Sequence, residues 1–90
     1  MPWVIEFAAS ASRQLGKLGH NDAERVLQFL RTRIATADNA RSIGKALRGP
    51  LGDFWRYRVG DIRLVCDIQD HRLVVLVLTV GRRDTVYKRP

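Results

Sequence analysis

The sequence predicts a small α+β domain in which a helical hairpin packs on a mostly antiparallel sheet of about four strands. Ninety residues leave room for one domain, spanning residues 1–90. The first half contains a short strand-like run and then apolar residues at helical spacing. The second half contains three runs rich in β-branched residues, separated by short turns. This order places the helices on one face of an antiparallel sheet.

The first half of the chain is predicted to form one strand and two helices. Trp3 to Phe7 is a β-branched and aromatic run typical of a strand. Residues 8–18 are Ala-rich and predict a helix, which Gly19 ends as a C-terminal cap. Asn21 followed by Glu24 resembles a capping box, which predicts the start of the second helix. The apolar stripe of that helix comprises Ala23, Val26, Leu27, Leu30 and Ile34.

The second half is predicted to form an irregular connection and three strands. Residues 37–53 contain three glycines and a proline, a composition typical of a loop. Strands are predicted at 54–59, 62–68 and 73–80. The last is apolar at nearly every position, which predicts an interior strand covered on both faces. Gly60-Asp61 fits a two-residue hairpin turn of type I′ or II′.

The predicted hairpin turn brings arginines together on one face of the sheet. It places Arg58 opposite Arg63, and strand alternation puts Arg56 on the same face. The other face receives the predicted core residues Trp55, Tyr57, Val59, Ile62, Leu64 and Cys66. Like charges directly opposite each other are destabilising, so this arrangement favours an anion site. The alternative is three solvated arginines that fan apart on an exposed sheet.

The charge balance favours a polyanionic partner. Sixteen Lys and Arg residues against nine Asp and Glu give a net charge of +7, and thirteen of the sixteen are Arg. Residues 41–90 hold eleven basic and five acidic residues, a net of +6. The planar guanidinium suits bidentate contacts to phosphate. Nucleic acid or an acidic protein is therefore the expected partner, with a basic surface that only aids solubility as the alternative.

Other compositional features restrict the location and the chemistry. A single cysteine excludes an internal disulfide, and no run has the length of a signal or membrane segment, so we expect a cytoplasmic protein without membrane contact. The two histidines, His20 and His71, lie in separate predicted turns, and the aspartates are scattered. No zinc, two-metal or nucleotide-binding motif is present, so neither a metal nor a cofactor is expected. Cys66 lies on the core face and is interpreted as a buried packing residue rather than a nucleophile.

Three segments of the chain match a known pattern: Lys45-Ala46-Leu47-Arg48-Gly49, the run from Phe54 to Val65, and the ending Val80-Gly81-Arg82-Arg83-Asp84-Thr85-Val86-Tyr87. They resemble the RelE/ParE superfamily of bacterial type II toxins. The order of elements is similar as well. RelE-type members are ribosome-dependent endonucleases that cleave the mRNA codon in the A site with the RNA's own 2′-hydroxyl. ParE-type members inhibit DNA gyrase, and members of both types are inactivated by an antitoxin.

The resemblance implies roles for individual residues. The expected catalytic residues are Arg56, Arg58, Arg63, Arg83 and Tyr87, with Tyr87 stacking on the target nucleotide. Expected RNA contacts are Lys45, Arg48 and Arg82. Arginine stands at two positions where relatives often have lysine. Because arginine does not release its proton, electrostatic stabilisation of the phosphorane is a better role for these side chains than acid–base catalysis.

The resulting prediction is a metal-independent, ribosome-dependent mRNA endonuclease without a cofactor. Its expected partners are the ribosome with its mRNA and rRNA, and an antitoxin that presents an acidic or amphipathic segment in a hetero-oligomeric complex. Two alternatives remain open at this point. One is a gyrase inhibitor on the same fold, and the other is a binding module whose only partner is the antitoxin.

Overall fold

The computed structural model describes residues 3–47 and 52–82, which form two helices and a five-stranded sheet. The elements are β1 (Val4–Phe7), α1 (Ala9–Gly16), α2 (His20–Phe29) with a π-helical turn (Leu30–Ile34), β2 (Lys45–Ala46), β3 (Trp55–Val59), β4 (Ile62–Gln69) and β5 (Val74–Arg82). The strand order is β1-β5-β4-β3-β2. Only the β1–β5 pair is parallel among these strands. The predicted α+β fold is confirmed.

The connection between the helices differs from the prediction. Gly19 adopts φ +93° and directly precedes α2, and its carbonyl accepts the Ala23 N–H at 3.0 Å. The helix therefore begins at His20, before Asn21, and no side chain caps it. The predicted capping box is wrong because the positive φ of Gly19 already turns the chain into the helix. Gly19 starts the second helix rather than ending the first, which stops at Gly16.

The predicted stripe of the second helix faces the core. Val26, Leu30 and Ile34 are almost fully buried, while the stripe's other two members, Ala23 and Leu27, are half-buried. The last turn widens into a π-helix, in which the Ala35 N–H donates to the Leu30 carbonyl at 2.8 Å. This wider turn keeps Val26, Leu30 and Ile34, which are four residues apart, on the side of the helix that faces the core. No feature of the sequence predicted it.

The region predicted to be irregular contains a short strand. Lys45 pairs with Arg56 and Ala46 with Trp55, so β2 forms the edge of the sheet beyond β3. The indole N–H of Trp55 donates to the Ile43 carbonyl at 2.7 Å and fixes this edge. Two residues are too few to show a strand periodicity, which explains why the prediction had about four strands instead of five.

The β3–β4 hairpin is as predicted. Its register pairs Val59 with Ile62 and Arg58 with Arg63 across the Gly60-Asp61 turn. Gly60 has φ +62° and Asp61 has no positive φ, which is the type II′ pattern. On the predicted core face, four residues are fully buried and the outer two are half-buried. The four are Tyr57, Ile62, Leu64 and Cys66; the outer two are Trp55 and Val59.

The last strand is interior, but it runs two residues past its predicted end. β5 continues to Arg82, so Gly81 and Arg82 lie within the strand and not after it. A register shift between Val65 and Cys66 leaves Gly81 opposite Arg63 and Arg82 opposite Ile62. Side chains of α1 bind its edge where β1 has ended. Ser10 donates to the Leu78 carbonyl at 3.1 Å, and Gln14 accepts the Val80 N–H at 2.8 Å. Neither helix in the part of the chain that the structure describes is long and apolar enough to cross a membrane.

Tyr57 joins the sheet to the loop before β2. Its side chain is fully buried, and its hydroxyl donates to the Ala40 carbonyl at 2.5 Å. Burial raises the pKa of this phenol well above its usual range. Replacing Tyr57 by Phe leaves the buried carbonyl without a donor, so we expect the free energy of unfolding to fall by about 1–3 kcal/mol. Urea denaturation measures this loss, and an unchanged midpoint would show that the hydrogen bond contributes nothing.

Candidate anion-binding site

Four cationic side chains share the sheet face that points away from the helices. Lys45 on β2 lies opposite Arg56 on β3, and Arg58 on β3 lies opposite Arg63 on β4. We call Lys45, Arg56, Arg58 and Arg63 the arginine face. Within residues 3–47 and 52–82, none of the four forms an ion pair or a side-chain hydrogen bond. Among the described residues, the face therefore carries four positive charges that no ion pair neutralises, along β2, β3 and β4.

Arg63 is the unusual member of the arginine face. It is only 7% exposed and is the one buried charged residue in the described part of the chain. Its Nε is buried without a hydrogen-bond partner. It lies between Arg58 on one neighbouring strand and Gly81 on the other. Burying an unpaired charge beside a like charge is costly, which favours a site that an anion completes.

The burial of Arg63 corrects one part of the sequence analysis. Arg58 is exposed and Arg56 is half-buried, as expected for side chains on an open sheet face. Arg63 is not, so the alternative of three solvated arginines that fan apart does not describe this face. Central strands are covered more than edge strands, and β4 is the middle strand of five.

Two shallow concavities meet at Arg58. The first, of about 230 Å³, is lined by Ile43, Gly44, Lys45, Arg56 and Arg58. The second, of about 340 Å³, is lined by Arg58, Gly60, Asp61 and Arg63. Because both are open and cationic, they suit an extended anion with more than one charged group better than a small enclosed ligand.

Arg82 does not belong to the arginine face. It lies opposite Ile62, whose side chain is in the core, and so it points to the helix side of the sheet. Its guanidinium binds Asp22 at 2.6 Å and Asp61 at 3.1 Å. These contacts raise the pKa of Arg82, and the hydrogen bond from Arg82 lowers the pKa of Asp22. Lys45, which was also predicted to contact RNA, lies on the opposite face of the sheet from Arg82. Arg48, Arg83 and Tyr87 lie outside the described residues.

The four residues of the arginine face are all cationic; the carboxylate beside them is that of Asp61, which lines the second concavity and is bound by Arg82. Cys66 is buried on the core side, as predicted, and burial raises the pKa of its thiol. The phenol of Tyr57 also lies in the core. His71 lies in an exposed turn. Residues 3–47 and 52–82 contain no cluster of His, Cys, Asp and Glu that could hold a metal ion. What this face offers chemically is fixed positive charge and guanidinium donors.

Comparison with known proteins places the chain in a family. Residues 5–87 match the model of the ParE toxin of the type II toxin–antitoxin system parDE. Toxin RelG of Mycobacterium tuberculosis is 33% identical over 92 residues, which cover 99% of this chain and all of RelG. The chain belongs to the RelE/ParE superfamily of type II toxins. The resemblance predicted from the sequence is confirmed.

Solved structures of superfamily members share the fold. The toxin–antitoxin complex RelBE2 of Mycobacterium tuberculosis contains a chain that matches with a TM-score of 0.84 and 29% identity, over 92% of this chain and 93% of that one. The isolated RelE toxin of E. coli matches with a TM-score of 0.70 and 22% identity, over 98% and 87%. The second likeness concerns the fold alone. The RelE fold thus extends over nearly the whole chain.

Proposed function

We propose that this type II toxin is a ribosome-dependent endonuclease that cleaves mRNA in the A site. The observation that carries the proposal is the buried, unpartnered Arg63 directly opposite Arg58. Such a pair is unfavourable without an anion and becomes favourable when a phosphate lies between the two guanidinium groups. An RNA backbone provides phosphates in a row, which suits the two concavities that meet at Arg58.

The proposed reaction uses a nucleophile from the substrate. The 2′-hydroxyl oxygen forms a bond to the adjacent phosphorus as the bond from phosphorus to the 5′-oxygen breaks, leaving a 2′,3′-cyclic phosphate. The 2′-hydroxyl loses its proton, and the departing 5′-oxygen gains one. Arg56, Arg58 and Arg63 stabilise the negative charge that grows on the phosphorane oxygens. Because arginine stays protonated, these residues do not act as the base.

The remaining predicted site residues keep their roles as part of the proposal. Arg83 binds the scissile phosphate, and Tyr87 stacks on the base and can pass a proton. Lys45 lies opposite Arg56 and binds the flanking backbone, as Arg48 does. Arg82 is removed from the group of RNA contacts because its guanidinium is bound to two carboxylates on the other side of the sheet.

Cleavage is expected to depend on the ribosome. Because arginine does not act as the base and the Asp61 carboxylate is bound to Arg82, the substrate must be held by another component so that the 2′-oxygen is aligned with the breaking bond. Purified toxin should cut an mRNA in translating ribosomes and leave the same RNA intact in free solution. Gel analysis of both reactions is the test, and efficient digestion of free RNA would contradict the mechanism.

A second function is favoured by the family model, which is named for the ParE toxin. ParE-type action would be inhibition of DNA gyrase without RNA cleavage. A gyrase supercoiling assay with the purified toxin distinguishes the two functions. We expect supercoiling to proceed normally at toxin concentrations that stop translation.

We propose further that an antitoxin with an acidic or amphipathic segment inactivates this toxin in a hetero-oligomeric complex. The net charge of +7 supports an acidic partner. RelBE2 of Mycobacterium tuberculosis is a toxin–antitoxin complex, and E. coli RelE, carrying two arginine-to-alanine changes, has been solved with a peptide of its antitoxin RelB.

Salt should change the association rate of this complex more than its dissociation rate. Charges at the rim of an interface mainly raise the association rate and are screened by ions, whereas buried apolar contacts set dissociation. Raising salt from ~50 mM to ~500 mM should therefore slow association strongly and change dissociation little. Surface plasmon resonance with the cognate antitoxin measures both rates. Association that is independent of salt would contradict an electrostatic partner.

A further inference from the structure

A cluster of ion pairs lies beside the arginine face at the tip of the β3–β4 hairpin. One guanidinium nitrogen of Arg82 lies 3.1 Å from both carboxylate oxygens of Asp61, and the other lies 2.6 Å from Asp22. Asp22 also accepts a hydrogen bond from Arg25 at 3.3 Å. We call Asp22, Arg25, Asp61 and Arg82 the hairpin clamp. It links α2, the hairpin turn and the end of β5.

Asp61 belongs to the clamp and also borders the arginine face. With Arg58, Gly60 and Arg63 it lines the larger concavity, and it is the sole carboxylate among those lining residues. It is separated from Arg63 by one residue and lies in the turn that joins the two opposed arginines. A carboxylate resembles a phosphate in charge and in its bidentate fit to guanidinium. If Arg82 did not bind it, the Asp61 carboxylate would be free to pair with the neighbouring Arg58 or Arg63.

We propose that Arg82 is a positioning residue that holds Asp61 away from Arg58 and Arg63 and so keeps the arginine face open to phosphate. The inference rests on the proposed anion site and adds a residue that acts from the opposite side of the sheet. Arg82 contacts no RNA in this scheme. Its role is to withhold a competing internal anion.

The test measures the affinity for a fluorescein-labelled RNA tetranucleotide with 2′-O-methyl groups, which the toxin cannot cleave. Arg82→Gln should weaken binding about fivefold, the size expected from losing an exposed but networked ion pair. Adding Asp61→Asn should restore the affinity to within about twofold of wild type, since the competing carboxylate is gone. Fluorescence anisotropy at fixed salt gives each dissociation constant.

A matched double variant separates the clamp from a simple effect of net charge. Arg82→Gln with Asp22→Asn has the same net charge as Arg82→Gln with Asp61→Asn and as wild type, but it leaves Asp61 free. We expect no recovery in this variant. Asp22→Asn alone should bind RNA like wild type because Arg82 still holds Asp61. Should Arg82→Gln fail to fold, Arg82→Lys keeps the charge without the forked contact and should show a smaller loss that Asp61→Asn also reverses.

The outcomes distinguish the clamp from the site that it serves. Arg63→Met should lose RNA binding; if it binds like wild type, both the anion site and the clamp are wrong. If Arg63→Met loses binding and Asp61→Asn does not rescue Arg82→Gln, the anion site stands and the clamp is overturned. Equal rescue by Asp22→Asn and Asp61→Asn would also overturn the clamp, because net charge alone would then explain the effect.

Discussion

Replacing Arg63 by methionine is expected to reduce ribosome-dependent cleavage at least ~100-fold, because one preorganised phosphate donor contributes about 2.7–4 kcal/mol to transition-state stabilisation. The same change should make the protein more stable. Arg63 is buried with an unpartnered Nε opposite Arg58, and methionine fills similar space without charge. We expect the free energy of unfolding to rise by about 1–3 kcal/mol. Cleavage in a translation extract and urea denaturation measure the two effects.

Arg58 provides the control for this prediction. It belongs to the same cross-strand pair but is exposed. Arg58→Met should therefore lose activity to a similar extent and raise the free energy of unfolding by no more than about 0.5 kcal/mol, since it relieves the like-charge contact but leaves the buried guanidinium of Arg63 in place. A variant of Arg63 that loses cleavage activity but gains stability would show that Arg63 is buried for function and not for folding. An Arg63 variant that unfolds while its folded fraction keeps full specific activity would show that the pair is structural.

Replacing Gly44 by alanine is expected to destabilise the protein by about 2–4 kcal/mol, through overpacking and a positive φ together. Gly44 has φ +91° and lies where β2 approaches β3. A Cβ at this position would overlap the Arg56 carbonyl oxygen and lie 2.6 Å from Nε1 of Trp55. The added methyl group can be accommodated only if β2 moves away from β3, which breaks the hydrogen bonds that pair the two strands. Urea denaturation measures the loss.

Two other glycines are controls for the separate parts of this effect. At Gly16, within α1, a Cβ meets nothing within 4 Å and the backbone φ is not positive, so alanine should stabilise by about 0.5–1 kcal/mol. At Gly19 the space is also open, but φ is +93°, so only backbone strain remains, and alanine should destabilise by about 1 kcal/mol. If Gly44→Ala costs no more than Gly19→Ala, close strand contact at Gly44 is not important.

The central hairpin could be predicted residue by residue. A two-residue turn at Gly60-Asp61 fixes the register of the two strands. Strand alternation then assigns each side chain from 55 to 66 either to the core face or to the opposite face. This local rule placed Arg58 opposite Arg63 before any tertiary information was used. It could not predict that Arg63 is buried, because burial depends on β4 being the middle strand of the sheet.

Features that depend on distant contacts were missed or misassigned. The two-residue strand Lys45–Ala46 exists because Gly44 permits a close approach to β3, not because of its own sequence pattern. Arg82 was predicted to bind RNA with its neighbours in the sequence. β5 runs past its predicted end, and a register shift near Val65 leaves Arg82 opposite Ile62, within reach of acids from α2 and the hairpin turn. Sequence proximity to a site does not determine the face on which a side chain lies.

The most direct test of the central claim, that the arginine face promotes attack by the RNA's own 2′-hydroxyl, is cleavage of an mRNA whose A-site codon has 2′-deoxy nucleotides. Ribosomes programmed with this mRNA or with its all-ribose counterpart are treated with the toxin, and the ends of the products are analysed. Attack by the 2′-hydroxyl should cut within the ribose codon, leave 2′,3′-cyclic phosphates and spare the deoxy codon. Equal cleavage of both messages, or no cleavage of the ribose message, would contradict this claim.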